Sequence, residues 1–227
     1  MLDDPERLLN IREQGDYNGF RSRGVEKEPW TYEWLRDFDS RVVLYDIGAN
    51  VGTYSLMAAA RGALVYAFEP LPVNYAELVA NVQLNNLSRK VFCSAVAATS
   101  NDCWTPLHLH DRMHNMPGYG LASTERVFKD GETVYVPAMS LDGLSERTFN
   151  PPTHLKIDIE GHEYMALSGM QRFFSEQRVE SLIVEIADDH TEEQIELLLN
   201  PFGYYGEECE GSRRTGENRT LVYEQES

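Results

Sequence analysis

The sequence predicts an α/β fold in which helices cover both faces of a mostly parallel sheet. Two apolar stretches, 42–45 and 63–68, have the length and β-branched content of strands that are buried on both faces. Each is followed by a segment rich in helix formers, 54–61 after the first and 73–86 after the second. Strands that alternate with helices in this way are typical of a doubly wound sheet.

The turn between the first strand and its helix is spaced like a ligand-binding loop. Asp46 ends the strand, and Gly48 and Gly52 can take positive φ or allow a ligand close to the backbone. The following helix is expected to offer free N–H groups to a carboxylate or phosphate. A dinucleotide fingerprint would need glycine where the chain has Asn50 and Thr53, which disfavours NAD. A Walker loop is excluded because no G-K-[ST] segment follows.

An acidic residue, Glu69, follows the second strand. At the tip of the adjacent parallel strand its carboxylate lies across the crevice and can accept hydrogen bonds from both hydroxyls of a ribose. The alternative is that Glu69 only favours the start of the next helix, where Pro70 and Pro72 follow. Because the acid and the glycine turn occur together, we favour the ribose interpretation.

Five segments occur in an order that resembles the FkbM-type S-adenosylmethionine-dependent methyltransferases: DIGANVG, AFEPLPVNYAELVANVQLN, VPAMSLDGL, LKIDIEGHE and LIVEI. The resemblance covers about residues 42–187, and the EP dipeptide after the second strand together with the KIDIEGHE segment makes it specific. It implies a Rossmann-like class I methyltransferase domain at 41–227, with a seven-stranded sheet that ends in an antiparallel hairpin. The N-terminal polar segment and helix, 1–40, precede that domain.

The same resemblance implies S-adenosylmethionine as the cofactor and assigns residues to it. The turn after the first strand would hold the methionine part, the acid after the second strand would hold the ribose, and the third strand tip would flank the adenine. The cofactor residues so implied are Asp46, Gly48, Asn50, Gly52, Thr53, Glu69, Pro70, Ala95, Val96 and Asp158.

Composition limits the partners. The chain has 227 residues, the size of one ordinary domain, and 37 acidic residues against 20 basic ones give a net charge of −17. A surface with this much negative charge repels nucleic acid and anionic lipid. We therefore expect the methyl acceptor to be a small molecule or a glycan. Three cysteines without paired spacing fit a reducing cytoplasm. Neither a secretory signal nor a membrane-spanning apolar run is visible, and the oligomeric state is left open.

Two further features lie outside the regular alternation. On the predicted helix at 29–38, Trp30, Trp34 and Phe38 recur every four residues, which favours a core position over a ligand-binding role.

The segment 98–136 predicts an antiparallel excursion with a long loop, and its place after the third strand favours a substrate lid. Its histidines do not form a convincing metal set. The expected acceptor contacts are Trp104, His110, His114, Asn115 and Tyr119.

The fourth strand, 155–159, is predicted to supply the chemistry. Period-two alternation places Asp158, Glu160 and, if the chain stays extended, His162 on one side. An aliphatic hydroxyl is a weak nucleophile, so its methylation benefits from a nearby base or a bound cation. A divalent cation is only weakly indicated, and the alternative is that these acids merely favour the following helix. The preceding NPPT segment lacks the aromatic of an amino-methyltransferase motif and predicts a turn.

The fifth strand, 181–187, contains one charged residue, Glu185. Since buried charge is costly unless paired, we expect Glu185 to point into the crevice towards Lys156 or the Asp158 cluster, with a purely structural ion pair to Lys156 as the alternative. The predicted catalytic set is thus Asp158, Glu160, His162 and Glu185. The predicted reaction is methyl transfer to a hydroxyl oxygen of a sugar or secondary metabolite. Nitrogen or carboxylate acceptors, and a non-catalytic cofactor-binding module, stay open as alternatives.

Overall fold

The structure is a computed structural model that describes residues 1–12, 22–108, 133–145, 149–159, 161–186, 188–212 and 219–225. Its helices are α1 (Gly24–Lys27), α2 (Pro29–Arg36), α3 (Thr53–Ala60), α4 (Pro72–Leu84), α5 (Leu141–Ser145), α6 (Glu163–Ser168), α7 (Gln171–Ser175) and α8 (Asp189–Leu199). Its strands are β1 (Val43–Ile47), β2 (Leu64–Phe68), β3 (Val91–Ser94), β4 (Ala97–Ala98), β5 (Cys103–His108), β6 (Thr133–Met139), β7 (His154–Ile157), β8 (Ser181–Ile186), β9 (Tyr204–Glu208) and β10 (Arg219–Gln225).

Seven of these strands form the main sheet, in the order β3-β2-β1-β7-β8-β10-β9. β1 pairs in parallel with β2 and β7, and β10 pairs antiparallel with both β8 and β9. This arrangement confirms the predicted doubly wound sheet with an antiparallel C-terminal hairpin. The chain winds outward in opposite directions from β1 and β7, so the crevice between their carboxyl ends is where such sheets bind ligands.

Several helices begin where the sequence provides a suitable first turn. Pro29 and Pro72 are the first residues of α2 and α4, positions at which the missing N–H of proline costs no hydrogen bond. α8 begins after Asp188, whose side chain accepts the N–H of Thr191 at 2.8 Å. No helix in the described part of the chain is long and apolar enough to cross a membrane.

The main sheet is buried on both faces because successive side chains of its strands point alternately into two apolar clusters. Leu44 packs with α2, α3 and α4 on one face, whereas its neighbour Tyr45 packs with α5 to α8 on the other. Both side chains have 0% exposure. Burying a side chain of this size stabilises the fold by roughly 1.5–3 kcal/mol.

The chain leaves the main sheet after β3. β4, β5 and β6 form a second, three-stranded sheet in which β5 and β6 are antiparallel. The predicted excursion at 98–136 is therefore present as the β5–β6 pair, while 109–132 lies outside the described residues. The apolar run 91–97 predicts a third strand that ends at Ala97. That predicted end is wrong, because β3 stops at Ser94 and Ala97 pairs with β6 instead.

The N-terminal residues pack against the sheet through aromatic and ionic contacts. The rings of Trp34 and Phe38 lie 5.6 and 4.7 Å from the ring of His154, and Trp34 Nε1 donates to Ser181 Oγ at 2.9 Å. Burial lowers the pKa of His154 to about 4, which keeps the ring neutral in this packing. Trp34 and Phe38 of the predicted aromatic stripe therefore contact the sheet, as a core position requires.

Candidate active site

The turn after β1 is held against β2 by its own amide groups. The N–H groups of Gly48 and Ala49 donate to the carbonyl of Phe68 at 2.9 and 3.0 Å, and that of Asn50 donates to Glu69 Oε2 at 2.8 Å. The expectation of free donors concerns the start of α3 and stays a prediction, whereas these three amides lie in the turn before that helix. They already have acceptors within the protein, which makes this part of the turn a poor cradle for phosphate.

Two glycines allow this turn to pack closely on the rest of the site. Gly48 has φ +83°, and a Cβ there would lie 2.0 Å from the carbonyl oxygen of Asp158. Gly52 has φ +95°, and its Cβ would lie 2.7 Å from Leu78 Cδ1. Both positions have the left-handed backbone that the spacing predicted. The close neighbours are protein atoms, and the contact at Gly48 fixes the end of β7 beside the turn.

The crevice beside this turn is rich in hydrogen-bond acceptors. Asp46 Oδ2 accepts from Ser55 Oγ at 2.5 Å, while the buried Asp46 Oδ1 and Asn50 Oδ1 have no donor among the described residues. Glu69 accepts the N–H of Asn50 on Oε2 at 2.8 Å and the N–H of Leu71 on Oε1 at 2.9 Å. Burial raises the pKa of Asp46, against the opposing effects of Lys156 and Ser55.

The other residues assigned to the cofactor lie at the same edge of the sheet. Thr53 begins α3 directly after the turn, and Pro70 follows β2. Ala95 is exposed and Val96 half-buried in the short link after β3. The carboxyl ends of four neighbouring strands thus bring together Asp46, Gly48, Asn50, Gly52, Thr53, Glu69, Pro70, Ala95, Val96 and Asp158.

Three carboxylates meet beyond the ends of β7 and β8. One oxygen from each of Glu28, Asp158 and Glu185 lies within 4.8 Å of the others. Lys156 Nζ lies 3.3 Å from Asp158 Oδ2. The structure therefore places Glu185 beside Asp158, as its position in an apolar strand indicated.

Two ammonium groups accompany these carboxylates. Burial lowers the pKa of Lys156, but the surrounding acids, led by Asp158 and Glu28, outweigh it and the net shift is upward. The pKa of Lys27 is also raised, because Glu28 and its neighbours outweigh the opposing effect of burial. Both lysines stay charged at neutral pH. They neutralise part of the negative charge that would otherwise attract a divalent cation.

The backbone of the turn after β7 does not stay extended as far as His162, in contrast to the conformation considered for the alternation. β7 ends at Ile157 and Gly161 has φ +96°, so the extended backbone needed for period-two alternation does not reach His162. The condition under which alternation would align His162 with Asp158 is therefore not met, and His162 instead occupies the N-cap position of α6. Glu160 lies outside the described residues.

The next residue, Glu163, is a buried acid whose role the sequence analysis did not recognise. Its exposure is 1%, and Oε1 accepts the N–H of Gly161 at 2.9 Å. Burial is the main reason that its pKa is raised to about 7. The only indication in the sequence was a glutamate in the first helical turn, which is common without any such burial.

The expected acceptor residues are only partly described. Trp104 lies on β5 with 71% of its surface exposed. His110, His114, Asn115 and Tyr119 lie outside the described residues, so the lid stays a prediction. Lys27 and Glu28, in contrast, were missed as site residues because the N-terminal stretch is polar and carries no motif.

The sequence matches the family described as Methyltransferase FkbM domain over residues 46–210. The chain belongs to the FkbM methyltransferase family. Two curated relatives of this FkbM-family protein are hexuronic acid methyltransferase AglP from Haloferax volcanii and 31-O-demethyl-FK506 methyltransferase FkbM from Streptomyces tacrolimicus. AglP is 29% identical over 154 residues, which are 67% of this chain and 59% of AglP. The Streptomyces protein is 26% identical over 188 residues, with 71% of this chain and 72% of that protein covered.

A solved structure agrees with the fold of this FkbM-family protein. Magnesium protoporphyrin IX methyltransferase ChlM from Synechocystis PCC 6803, determined with bound SAM, superposes with a TM-score of 0.56 at 14% identity. The superposition covers 94% of this chain and 87% of ChlM. It shows that the main sheet and its helices have the class I methyltransferase fold.

Proposed function

We propose that this FkbM-family protein transfers a methyl group from S-adenosylmethionine to a hydroxyl oxygen of a sugar or secondary metabolite. The observation that carries the proposal is the set of acceptors on Asp46, Asn50 and Glu69 at the ends of β1 and β2. Such a set suits a ligand whose polar groups are an ammonium and ribose hydroxyls, and it disfavours a pyrophosphate. The names of the two relatives, one acting on a hexuronic acid and one on a demethylated FK506 oxygen, support the acceptor class.

Different residues of the crevice would bind different parts of the cofactor. Asp46 and Asn50 would bind the methionine part, Glu69 the ribose, and Ala95 and Val96 would flank the adenine. When bound, S-adenosylmethionine supplies an electrophilic methyl group on a sulfonium. A divalent cation is a second way to activate the acceptor, although the lysines beside the carboxylate cluster argue against it.

Asp158 and Glu185 are the proposed bases. A hydroxyl oxygen positioned at this end of β7 can pass its proton to either carboxylate while its oxygen forms the new bond to carbon. General-base help of this kind typically contributes about 10²–10⁴ in rate. The ammonium of Lys156, 3.3 Å from Asp158, favours the ionised carboxylate that a base requires.

Calorimetry tests the cofactor assignment. S-adenosylmethionine and S-adenosylhomocysteine should bind, NAD should bind far more weakly, and Glu69→Ala should lose about 2 kcal/mol, or roughly thirtyfold in affinity. Glu207, an exposed residue of β9, offers a matched control, since Glu207→Ala should leave the affinity unchanged. Equal affinity for NAD would overturn the assignment.

Single substitutions test the bases. Asp158→Asn and Glu185→Gln should each lower kcat by at least about a hundredfold, with little change in cofactor affinity, and His162→Ala should do so only if the imidazole also takes the proton. If a cation activates the hydroxyl, EDTA should mimic Asp158→Asn, added Mg²⁺ should restore activity, and His162→Ala should stay active. Full activity of all three variants together with insensitivity to EDTA would show that the acceptor is activated elsewhere.

A further inference from the structure

The carboxylate cluster contains a residue from outside the matched family domain. Glu28 lies eighteen positions before the start of that domain, which spans 46–210, yet it lies with Asp158 and Glu185 at the ends of β7 and β8. Its exposure is 6%. The N-terminal segment therefore contributes a buried charge to the centre where the methyl transfer is proposed to occur.

The segment before Glu28 is fixed on the helix that follows the cofactor turn. A Cβ at Gly24 would lie 2.6 Å from Thr53 Cγ2, so a larger residue has no room there. The hydroxyl of Tyr54 donates to the carbonyl of Gly24 at 3.2 Å. These contacts join α1 to the start of α3 and hold the following residues over the crevice.

The carboxylate of Glu28 is held in one orientation by neighbours on both sides. Lys27 Nζ donates to its Oε1 at 2.7 Å, and Thr31 Oγ1 donates to its Oε2 at 3.1 Å. Pro29 begins α2 immediately after it, which restricts the backbone. A carboxylate oriented in this way acts as a fixed negative charge.

Charged and titratable groups from several elements surround Glu28. They are Lys27 of α1, Asp46 of β1, Tyr54 of α3, Lys156 of β7, Asp158 after β7 and Glu185 of β8. Counting Glu28 itself, four carboxylates and two ammonium groups give 2 − 4 = −2 when all are ionised. This excess of negative charge favours uptake of a proton released inside the cluster.

We propose that Glu28 is a positioning residue of the methyl-transfer centre, whose charge strengthens Asp158 and Glu185 as acceptors of the hydroxyl proton. The proposal rests on the function proposed above. In the step concerned, the O–H proton passes to a carboxylate, the oxygen–carbon bond forms, and the sulfur–carbon bond breaks with its electron pair left on sulfur. A like charge within 4.8 Å holds the neighbouring carboxylates nearer to protonation, which makes them stronger bases.

Glu28→Gln tests this role while keeping the size of the side chain and an oxygen that can accept from Thr31. We expect a folded protein with an S-adenosylmethionine affinity within about threefold of the parent and a roughly tenfold lower kcat with little change in acceptor KM. The acid limb of the kcat–pH profile should move to lower pH by about one unit, because a nearby like charge has been removed. Glu28→Asp should restore part of the loss.

Glu33→Gln is the matched control. Glu33 lies on α2, the helix that follows Glu28, pairs with Arg36 on the surface and has 56% of its side chain exposed, so kcat and its pH profile should not change. An unchanged kcat and pH profile in Glu28→Gln would overturn the proposal. A lower melting temperature without a shift of the acid limb would show a merely structural role and overturn it as well.

Carbon-13 NMR of the side-chain carboxylates separates this proposal from the proposed function. The protonation midpoints of Asp158 and Glu185 can be followed in the parent and in Glu28→Gln with no acceptor present. A downward shift of about one pH unit in either midpoint supports the proposal, and two unchanged midpoints refute it. A parent that binds S-adenosylmethionine but turns over no acceptor would instead refute the function alone.

Discussion

Replacing Glu163 with glutamine should stabilise the protein at neutral pH and leave its stability nearly unchanged near pH 4. The pKa of Glu163 is about 7, against an ordinary value of 4.5, because its side chain is buried at the start of α6. A carboxyl group with a raised pKa binds its proton more tightly in the folded state. Its favourable contribution is therefore complete below about pH 4.5 and is lost as the pH rises through about 7.

The size of the effect follows from the shift. The difference 7 − 4.5 = 2.5 pH units corresponds to about 3 kcal/mol of lost stability above pH 7, and 1% exposure leaves little solvent to screen it. Glutamine has no charge to bury, and its amide oxygen can keep the hydrogen bond from Gly161. The variant should thus gain about 3 kcal/mol over the parent between pH 4 and pH 8.

Urea unfolding of both proteins between pH 4 and pH 8 measures this difference. His154, with a pKa lowered to about 4, stabilises the fold above about pH 6.5 and loses that contribution as the pH falls through about 4. This titration occurs equally in both proteins and cancels in the comparison. A stability difference that does not change with pH would refute the reasoning.

Two further predictions concern packing. Gly48→Ala should lower the free energy of unfolding by several kcal/mol and weaken cofactor binding, since its Cβ would meet a backbone carbonyl at 2.0 Å. Gly161→Ala has no described atom within 4 Å of its Cβ, so it should cost only the ~1–2 kcal/mol of the left-handed backbone. Equal losses in thermal unfolding would contradict this. Asp4→Ala should cost about 3–5 kcal/mol because it leaves the buried Arg61 guanidinium without its 2.6 Å partner. Glu6→Ala, which removes a half-exposed partner at 3.6 Å, should cost less than about 1 kcal/mol, and a comparable loss would show that burial does not set the difference.

The parts of the fold that local sequence determines were predictable. β1 and β2 are continuous apolar runs, and the glycine turn between β1 and α3 has the positive φ values that its spacing requires. In these segments strand period, helix propensity and turn residues all favour the same structure. The C-terminal hairpin, in contrast, was implied by the family resemblance and not by a local pattern, since β9 has the sequence YYGEE and is mostly exposed.

The composition of the site depended on tertiary contacts that no local pattern contains. Glu28 reaches the cluster only because α1 packs on α3, and a polar N-terminal stretch gives no indication of that contact. His162 was misplaced for a different reason: the strand ends at Ile157, and a left-handed Gly161 turns the chain before the alternation can continue. Strand ends are the least reliable part of a prediction from periodicity.

The formation of S-adenosylhomocysteine in the presence of a hydroxylated acceptor tests the proposed function most directly. The protein would be incubated with S-adenosylmethionine and a panel of sugars that includes hexuronic acids, and both products would be measured by mass spectrometry. We predict S-adenosylhomocysteine together with an acceptor that has gained one methyl group on oxygen, and a loss of both products in Asp158→Asn. Methylation on nitrogen, or full turnover by Asp158→Asn, would contradict the proposed reaction.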